Sequence, residues 1–172
     1  MQKENNSVMD TKELIITRTF DAPKELVFKA LTEKEHLSHW WGPKGFQLNV
    51  HKLEVKPGGI FHYSIESEGM KMYGIFVYKE IQSPDKIVFI NSFADEKGNI
   101  TRAPFSETWP LEIMNVWTLS EENGKTTLTL RGGPYNATAE EQSTFENMFA
   151  SMNEGFGGTF DQLDAYLAEL KK

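Results

Sequence analysis

The sequence predicts an α+β fold in which a curved antiparallel sheet wraps around a long C-terminal helix. Residues 138–170 repeat apolar side chains at helical spacing. Residues 46–131 instead alternate apolar and polar side chains between turn signals, as antiparallel strands do. A helix-free run of about six strands must cover one apolar face, and the closing helix is the only element large enough to cover it.

Composition narrows the class of protein before any motif is considered. The chain of 172 residues is 39% hydrophobic and 25% charged, which is ordinary for a soluble protein. Its net charge of −7 argues against nucleic acid as a partner. It has no apolar run long enough for a membrane span, no secretory signal and no Cys, so we expect a cytoplasmic protein. We expect a disordered tail over 1–12 and one domain over 13–172.

The N-terminal part predicts one strand followed by two short helices. Residues 13–20 are strand-like, and Asp21-Ala22-Pro23 resembles a helix start. Residues 32–35 are suited to capping a second helix, which carries Trp40 and Trp41 before Gly42-Pro43 ends it.

The sheet region predicts six strands separated by turns. The strand segments begin near 46, 61, 72, 87, 111 and 126, and Glu122-Asn123-Gly124 is a hairpin signal. Residues 94–110 predict a long mixed loop, and loops of this length are more often functional than structural.

The closing helix has a defined start and an unusual middle. Thr138 and Glu141 have the spacing of a capping box. The apolar stripe contains Gly155, Gly157 and Gly158. Within a helix, each glycine lowers helix stability by about 1 kcal/mol relative to Ala. We expect these glycines to let the helix bend or approach the sheet closely.

A large aromatic set faces this Met- and Phe-rich stripe. Any single ring is more often simple core, but together they predict a pocket for a hydrophobic ligand. Phe93 belongs to the aromatic set, and the candidate lining residues are Trp40, Trp41, Phe61, Tyr63, Tyr73, Phe76, Phe89, Trp109, Trp117, Phe149, Met152 and Phe156. Tyr63, Tyr73 and Trp117 would supply a hydroxyl or an indole N–H to orient the ligand.

The histidines do not form a recognised metal pattern. His36 and His39 share a helix face, and Glu33 or Glu35 would have to supply a third zinc ligand, so the favoured interpretation is two solvent-exposed histidines. His62 alternates with Phe61 and Tyr63, so we expect it to face solvent or an edge neighbour.

The remaining polar residues give no clear catalytic site. Ser106 to Thr108 have no nearby His, and Glu107 and Arg131 are more simply edge residues than a buried pair. No catalytic residue, metal or cofactor is assigned.

Four ordered motifs resemble the activator of heat-shock protein 90 ATPase-like family. They are 18–23 with 27–32 (RTFDAP…VFKALT), 37–45 around Trp40-Trp41-Gly42-Pro43, 55–61 (VKPGGIF), and Gly74-Ile75-Phe76 with Glu80-Ile81. The closing helix over 152–163 is similar as well, so the resemblance covers 13–170.

The resemblance implies the START-like (SRPBCC) superfamily and its helix-grip fold. It implies a deep hydrophobic cavity between the sheet and the C-terminal helix, with lipids, polyketides or other hydrophobic small molecules as ligands. Two departures stand out: Glu54 is separated from Lys56 by Val55 before the Pro-Gly-Gly turn, and Phe156 stands where relatives commonly carry Trp.

Three functional hypotheses remain open from the sequence. The leading one is a non-catalytic carrier or sensor of an apolar, aromatic small molecule. The second is a protein-interaction module that acts on a heat-shock protein 90 homologue, a chaperone partner, as the family name implies. The third is a cyclase or hydrolase with an acid–base group in the cavity. A homodimer through a sheet edge or the Trp40 region is a further partner hypothesis.

Overall fold

A computed structural model describes residues 13–170 of the chain, and the predicted tail over 1–12 lies outside the described residues. The helices and strands follow the predicted order. They are β1 (Leu14–Phe20), α1 (Lys24–Thr32), α2 (Lys34–Trp40), β2 (Gln47–Leu53), β3 (Ile60–Ser67), β4 (Met70–Gln82), β5 (Lys86–Ala94), β6 (Ile100–Thr101), β7 (Ile113–Glu122), β8 (Lys125–Pro134), α3 (Ala139–Asn147) and α4 (Phe149–Leu170).

The strands form one antiparallel sheet of eight strands. Its order is β1-β8-β7-β5-β4-β3-β2, and β6 pairs with β5 beside this path. The sequence predicted six strands after the helices; the additional strand, β6, has two residues and lies inside the predicted 94–110 loop. The predicted hairpin joins β7 to β8 through Asn123 and Gly124, whose φ angles of 56° and 79° are those of the two-residue turns that match strand twist.

The closing helical region is two helices rather than one. The capping box at Thr138 and Glu141 starts α3 as predicted. The chain leaves helical geometry at Met148, with φ −104° and ψ 8°, and α4 then runs without interruption through Gly155, Gly157 and Gly158. The helix is therefore not interrupted at these glycines, and the break lies one turn or more before them.

The expectation that these glycines let the helix backbone approach the sheet closely was wrong. A Cβ added at Gly155, Gly157 or Gly158 would meet no other heavy atom within 4 Å, leaving out its chain neighbours and the helix's own backbone. Sheet contact by α4 comes instead from buried side chains such as Phe160 and Leu163. The Phe160 ring lies 5.9 Å from that of Phe20 and 6.1 Å from that of Trp117. These contacts hold α4 on the concave face of the sheet.

Polar contacts fix the C-terminal half of α4 to the N-terminal elements. Arg18 of β1 donates to Asp161 at 2.6 Å. Gln162 Nε2 donates to the carbonyl oxygen of Gly42 at 2.7 Å. Tyr166 reaches α2, where its hydroxyl lies 2.6 Å from His36 Nδ1. The first half of α4 has fewer such anchors, and this is where the cavity described below opens.

Within 13–170, no helix is both long enough and apolar enough to cross a membrane.

Candidate functional site

A cavity of about 430 Å³ lies between the concave face of the sheet and the first half of α4. Its lining comes from the helical break and α4, from the turn after α2, from three sheet strands and from the 94–110 loop. The lining residues are Trp41, Gly42, Pro43, Tyr63, Ile65, Met72, Phe93, Phe105, Trp109, Met148, Ser151, Met152, Gly155, Phe156 and Thr159.

The helix wall of the cavity follows helical periodicity. Met148, Met152, Phe156 and Thr159 recur at intervals of three or four residues, which places them on one face of the helix. Gly155 lies on the same face and leaves space there, since a Cβ at this position would have open surroundings. The glycine thus contributes room to the cavity instead of a close contact.

The opposite wall uses strand alternation. Tyr63 and Ile65 lie on one face of β3, and Met72 lies on the same face of β4. Phe105 of the 94–110 loop closes one side, with its ring 5.7 Å from those of Phe93 and Trp109. Phe105 is itself 58% exposed, so it lies at the mouth of the cavity.

Of the twelve candidate lining residues, the structure brings five together on the cavity wall: Trp41, Tyr63, Trp109, Met152 and Phe156. Six others are outside the lining and form core around it: Trp40, Phe61, Phe76, Phe89, Trp117 and Phe149. Trp40 is 2% exposed, and its indole N–H donates to the carbonyl oxygen of Ala30 at 2.9 Å. The two groups differ in how densely the surrounding structure packs against each ring. The sequence does not encode this density for individual residues.

Tyr73 belongs to neither group. It alternates with Met72 and Gly74, so its side chain is on the opposite face of the sheet from the cavity. There its ring lies 5.6 Å from that of His51 and 5.8 Å from that of His62. The Tyr73 ring therefore packs away from the larger cavity, and Tyr73 contributes only to the lining of the adjoining small compartment.

Tyr63 contributes a phenolic hydroxyl to the lining. Burial, partly offset by a hydrogen bond with the Trp41 side chain, raises the pKa of its hydroxyl to about 12. The hydroxyl therefore stays protonated near neutral pH. Trp117, the third expected polar group, lies outside the lining, and its buried indole N–H has no hydrogen-bond partner in the described chain.

A smaller compartment of about 80 Å³ adjoins the cavity. It shares Tyr63, Ile65, Met72, Phe93 and Trp109 with the larger space. The remaining lining residues of this small compartment are Tyr73, Gly74, Asn91, Ser92 and Ile113. It therefore brings an amide side chain close to an otherwise apolar cavity.

Several lining residues were not among the candidates. Met72 and Ile65 follow the same alternation as Tyr63, so the strand period carried a usable signal for them. Met148, Ser151 and Thr159 lie on the helical face of Met152. Phe105 had no such signal, because its position depends on how the 94–110 loop folds back.

The histidines pack against aromatic rings. His39 is exposed as predicted, and its ring stacks on Tyr166 at 4.6 Å. His36 is half-buried, which corrects the expectation that both are solvent-exposed. His62 is 6% exposed, because the turn at Asp95 covers it and the backbone carbonyl oxygen of Asp95 accepts its Nε2–H at 3.0 Å. Of the two expected surroundings, solvent or an edge neighbour, the structure shows the second, since the His62 ring lies 5.1 Å from that of His51 on the edge strand β2. Within 13–170, no cluster of His, Asp or Glu has the geometry of a metal site.

The acid–base residues named from the sequence lie at the surface. Glu107 is exposed, and Arg131 pairs with Glu13 at 2.5 Å, so the two residues do not form a buried pair. Arg131 is not an edge residue, however, because β8 lies between β1 and β7. Neither residue reaches the cavity. Tyr63 is the only titratable side chain among those that line the larger cavity.

The sequence model of the family described as "Activator of Hsp90 ATPase homolog 1-like protein" matches residues 21–168. The chain belongs to this family. The match runs from the end of β1 to the last turns of α4, and so includes every wall of the cavity. A search of curated proteins found no match.

Solved structures agree with this family assignment. A Mycobacterium smegmatis protein superimposes with a TM-score of 0.75 at 29% identity, over 92% of this chain and 91% of that one. A Staphylococcus epidermidis protein gives 0.74 at 27% identity, over 91% and 90% of the two chains. An Arthrobacter aurescens protein gives 0.76 at 26% identity, over 93% and 88%. The helix-grip fold predicted from the motifs is confirmed.

Proposed function

We propose that this member of the Hsp90 ATPase activator homologue 1-like family is a non-catalytic carrier or sensor of an uncharged hydrophobic small molecule. The observation that carries the proposal is the lining itself. Fifteen residues line a cavity of about 430 Å³, and none of them is Asp, Glu, Lys, Arg or His. A concave, mostly apolar site with a few polar groups is the usual form of a small-molecule pocket.

The side chains of the lining support a ring-bearing ligand. Met72, Met148 and Met152 present thioethers, which are flexible and make favourable contacts with aromatic rings. Trp41 and Trp109 offer large flat faces for offset stacking. The same lining residues favour a ligand carrier over an enzyme, because acid–base catalysis requires a group that exchanges protons near neutral pH. The pKa of Tyr63, about 12, is far from that range.

The test uses 2-propylnaphthalene as a neutral apolar probe. Its binding is measured by quenching of the indole fluorescence, since Trp41 and Trp109 lie in the cavity wall, and by a rise in melting temperature. We expect binding with a Kd of the order of micromolar, an affinity within reach of a ligand of this size.

Two matched variants make the test specific to the cavity. Gly155→Leu places a side chain on the cavity face of α4, and Gly158→Leu makes the same change at an exposed position outside the lining. Both positions have open space around an added Cβ, so both variants should fold. We expect Gly155→Leu to weaken probe binding at least tenfold and Gly158→Leu to leave it unchanged.

The proposal would be abandoned if the wild-type protein did not bind the probe, or if both variants weakened binding equally. If the wild-type protein did not bind the probe but did bind a heat-shock protein 90 homologue in a pull-down, the interaction-module hypothesis would be favoured instead.

A further inference from the structure

We propose that the small compartment beside Tyr63 selects ligands that carry a neutral oxygen acceptor, such as a ketone, ester or amide carbonyl, at one end of an apolar body. This inference rests on the proposed function and adds the chemical class and the orientation of the ligand. Its basis is a pair of hydrogen-bond donors at the inner end of an otherwise apolar space.

The first donor is the amide of Asn91 on β5. Asn115 Nδ2 donates to Asn91 Oδ1 at 2.8 Å and to the carbonyl oxygen of Ile113 at 3.1 Å. This bond fixes the orientation of the Asn91 amide, because its oxygen faces Asn115. Its Nδ2, which carries two donor hydrogens, then points away from Asn115. Asn91 lines the small compartment, so a ligand there meets a donor.

The second donor is the hydroxyl of Tyr63. Its oxygen lies 2.5 Å from the place where a Cβ of Gly74 would be. Gly74 lines the small compartment and not the larger one, which locates the hydroxyl at that end of the cavity. With a pKa of about 12, the group keeps its proton and remains able to donate.

The charge of the surroundings excludes an ionised head group. Neither compartment is lined by Lys, Arg or His. A carboxylate that lost its hydration here would have only neutral donors in exchange, which does not offset the desolvation of a charge. A carbonyl oxygen loses little hydration, and two donors are sufficient for its two lone pairs.

The dimensions are consistent with one ligand spanning both compartments. The five shared lining residues make the two spaces adjacent, and about 80 Å³ holds a small polar group rather than a ring system. The apolar body would then occupy the space under Met152 and Phe156, with its oxygen directed at Asn91 and Tyr63.

The experiment compares 2-propanoylnaphthalene with 2-propylnaphthalene, which differ by one carbonyl oxygen. The ketone gains two neutral hydrogen bonds, so we expect wild-type protein to prefer it by roughly tenfold in Kd. The C=O stretching band of the bound ketone should also move to lower frequency than in hexane. This spectroscopic shift reports hydrogen bonding directly, independently of affinity.

Three variants assign the donors. Asn91→Leu removes the amide donor without adding a charge and leaves Asn115 its bond to the carbonyl oxygen of Ile113, and Tyr63→Phe removes the hydroxyl. Each should reduce the preference for the ketone to about threefold or less, since each removes one hydrogen bond. Tyr135→Phe, which removes the same hydroxyl from an exposed tyrosine outside both linings, is the matched control and should keep the full preference.

The two proposals fail in distinguishable ways. If wild-type protein binds both probes with equal affinity and the C=O band is unshifted, the inference that the small compartment selects an oxygen acceptor is overturned, while the proposed function stands. Loss of the preference in Tyr135→Phe but not in Asn91→Leu overturns it as well. If neither probe binds, the proposed function fails, and the inference fails with it.

Discussion

The ring of Tyr63 lies across Gly74 on the neighbouring strand. The two residues are direct partners in the β3–β4 ladder, and a Cβ at position 74 would lie 2.5 Å from the Tyr63 hydroxyl oxygen and 2.6 Å from the ring carbon that bears it. Both distances are too short for any side chain. Glycine at 74 is therefore what allows a tyrosine to lie flat on the sheet and line the cavity.

We predict that Gly74→Ala destabilises the protein by about 1–3 kcal/mol, the usual cost of overpacking a filled site. The variant should also weaken probe binding, because Tyr63 must move from the cavity wall. Urea denaturation measures the first effect and indole quenching the second. Combining Gly74→Ala with Tyr63→Ala should cost less than the sum of the two single changes, since the clash disappears; strict additivity would show that the two positions do not interact.

Gly59 in the turn before β3 makes a second close approach. Its Cβ would lie 2.2 Å from the carbonyl oxygen of Glu54, a backbone atom that cannot move aside cheaply. We predict that Gly59→Ala destabilises the protein by about 1–3 kcal/mol. Gly158→Ala should instead stabilise it by about 0.5–1 kcal/mol, because the position is an open site within a helix. Urea denaturation measures both variants. If the denaturation midpoints of Gly59→Ala and Gly158→Ala shifted in the same direction from the wild-type midpoint, this distinction would be contradicted.

Glu141 connects the start of α3 to the 94–110 loop. It accepts the backbone N–H of Thr138 at 3.0 Å and the guanidinium of Arg102 at 2.5 Å. These bonds, the Thr138 one foremost, lower the pKa of Glu141 from its ordinary value of 4.5. The stability that the ionised carboxylate contributes is fully present above the unfolded-state pKa and is lost as the pH falls through the lower folded-state pKa.

We therefore predict that Glu141→Gln is less stable than the wild type by about 0.3–1 kcal/mol at pH 7, because the amide keeps the capping acceptor but loses the charge that pairs with Arg102 and favours the N-terminus of α3. This difference should shrink below about pH 4, where the unfolded-state carboxyl begins to protonate. Denaturation at pH 7, 4 and 3 measures it. A stability difference that is independent of pH would mean that the charge of Glu141 has no part in the effect.

His51 on the outer face of the sheet has a pKa below its ordinary value of 6.5. Partial burial is the largest cause, followed by repulsion from His62 and from Lys71. We predict an NMR titration midpoint for His51 below 6.5 in the wild type and a higher midpoint in Lys71→Gln. Lys125→Gln, which changes a surface lysine in the β7–β8 hairpin, is the control and should leave the midpoint unchanged. A His51 midpoint above 6.5 would contradict the prediction.

Local sequence patterns predicted most of the element order, and they predicted which side chains share a face in β3 and in α4. Alternation in β3 put Tyr63 opposite His62, and helical spacing put Met152 and Phe156 on one side of α4. These patterns are local, because strand and helix periods follow from backbone geometry alone. The capping box at Thr138 and the hairpin at Asn123-Gly124 were readable for the same reason.

Packing between distant elements separates the aromatic side chains that line the cavity from those that fill the core. Phe61 and Tyr63 share a face of one strand, yet Phe61 is 1% exposed in the core and Tyr63 lines the cavity. The difference arises from what lies across the interior: the second half of α4 packs Phe160 and Leu163 onto the sheet, while the first half presents Gly155 and flexible methionines. The break at Met148 likewise left no mark in the apolar pattern, because helical phase continues across it. Cavity shape depends on distances between elements far apart in sequence, and no local period encodes those distances.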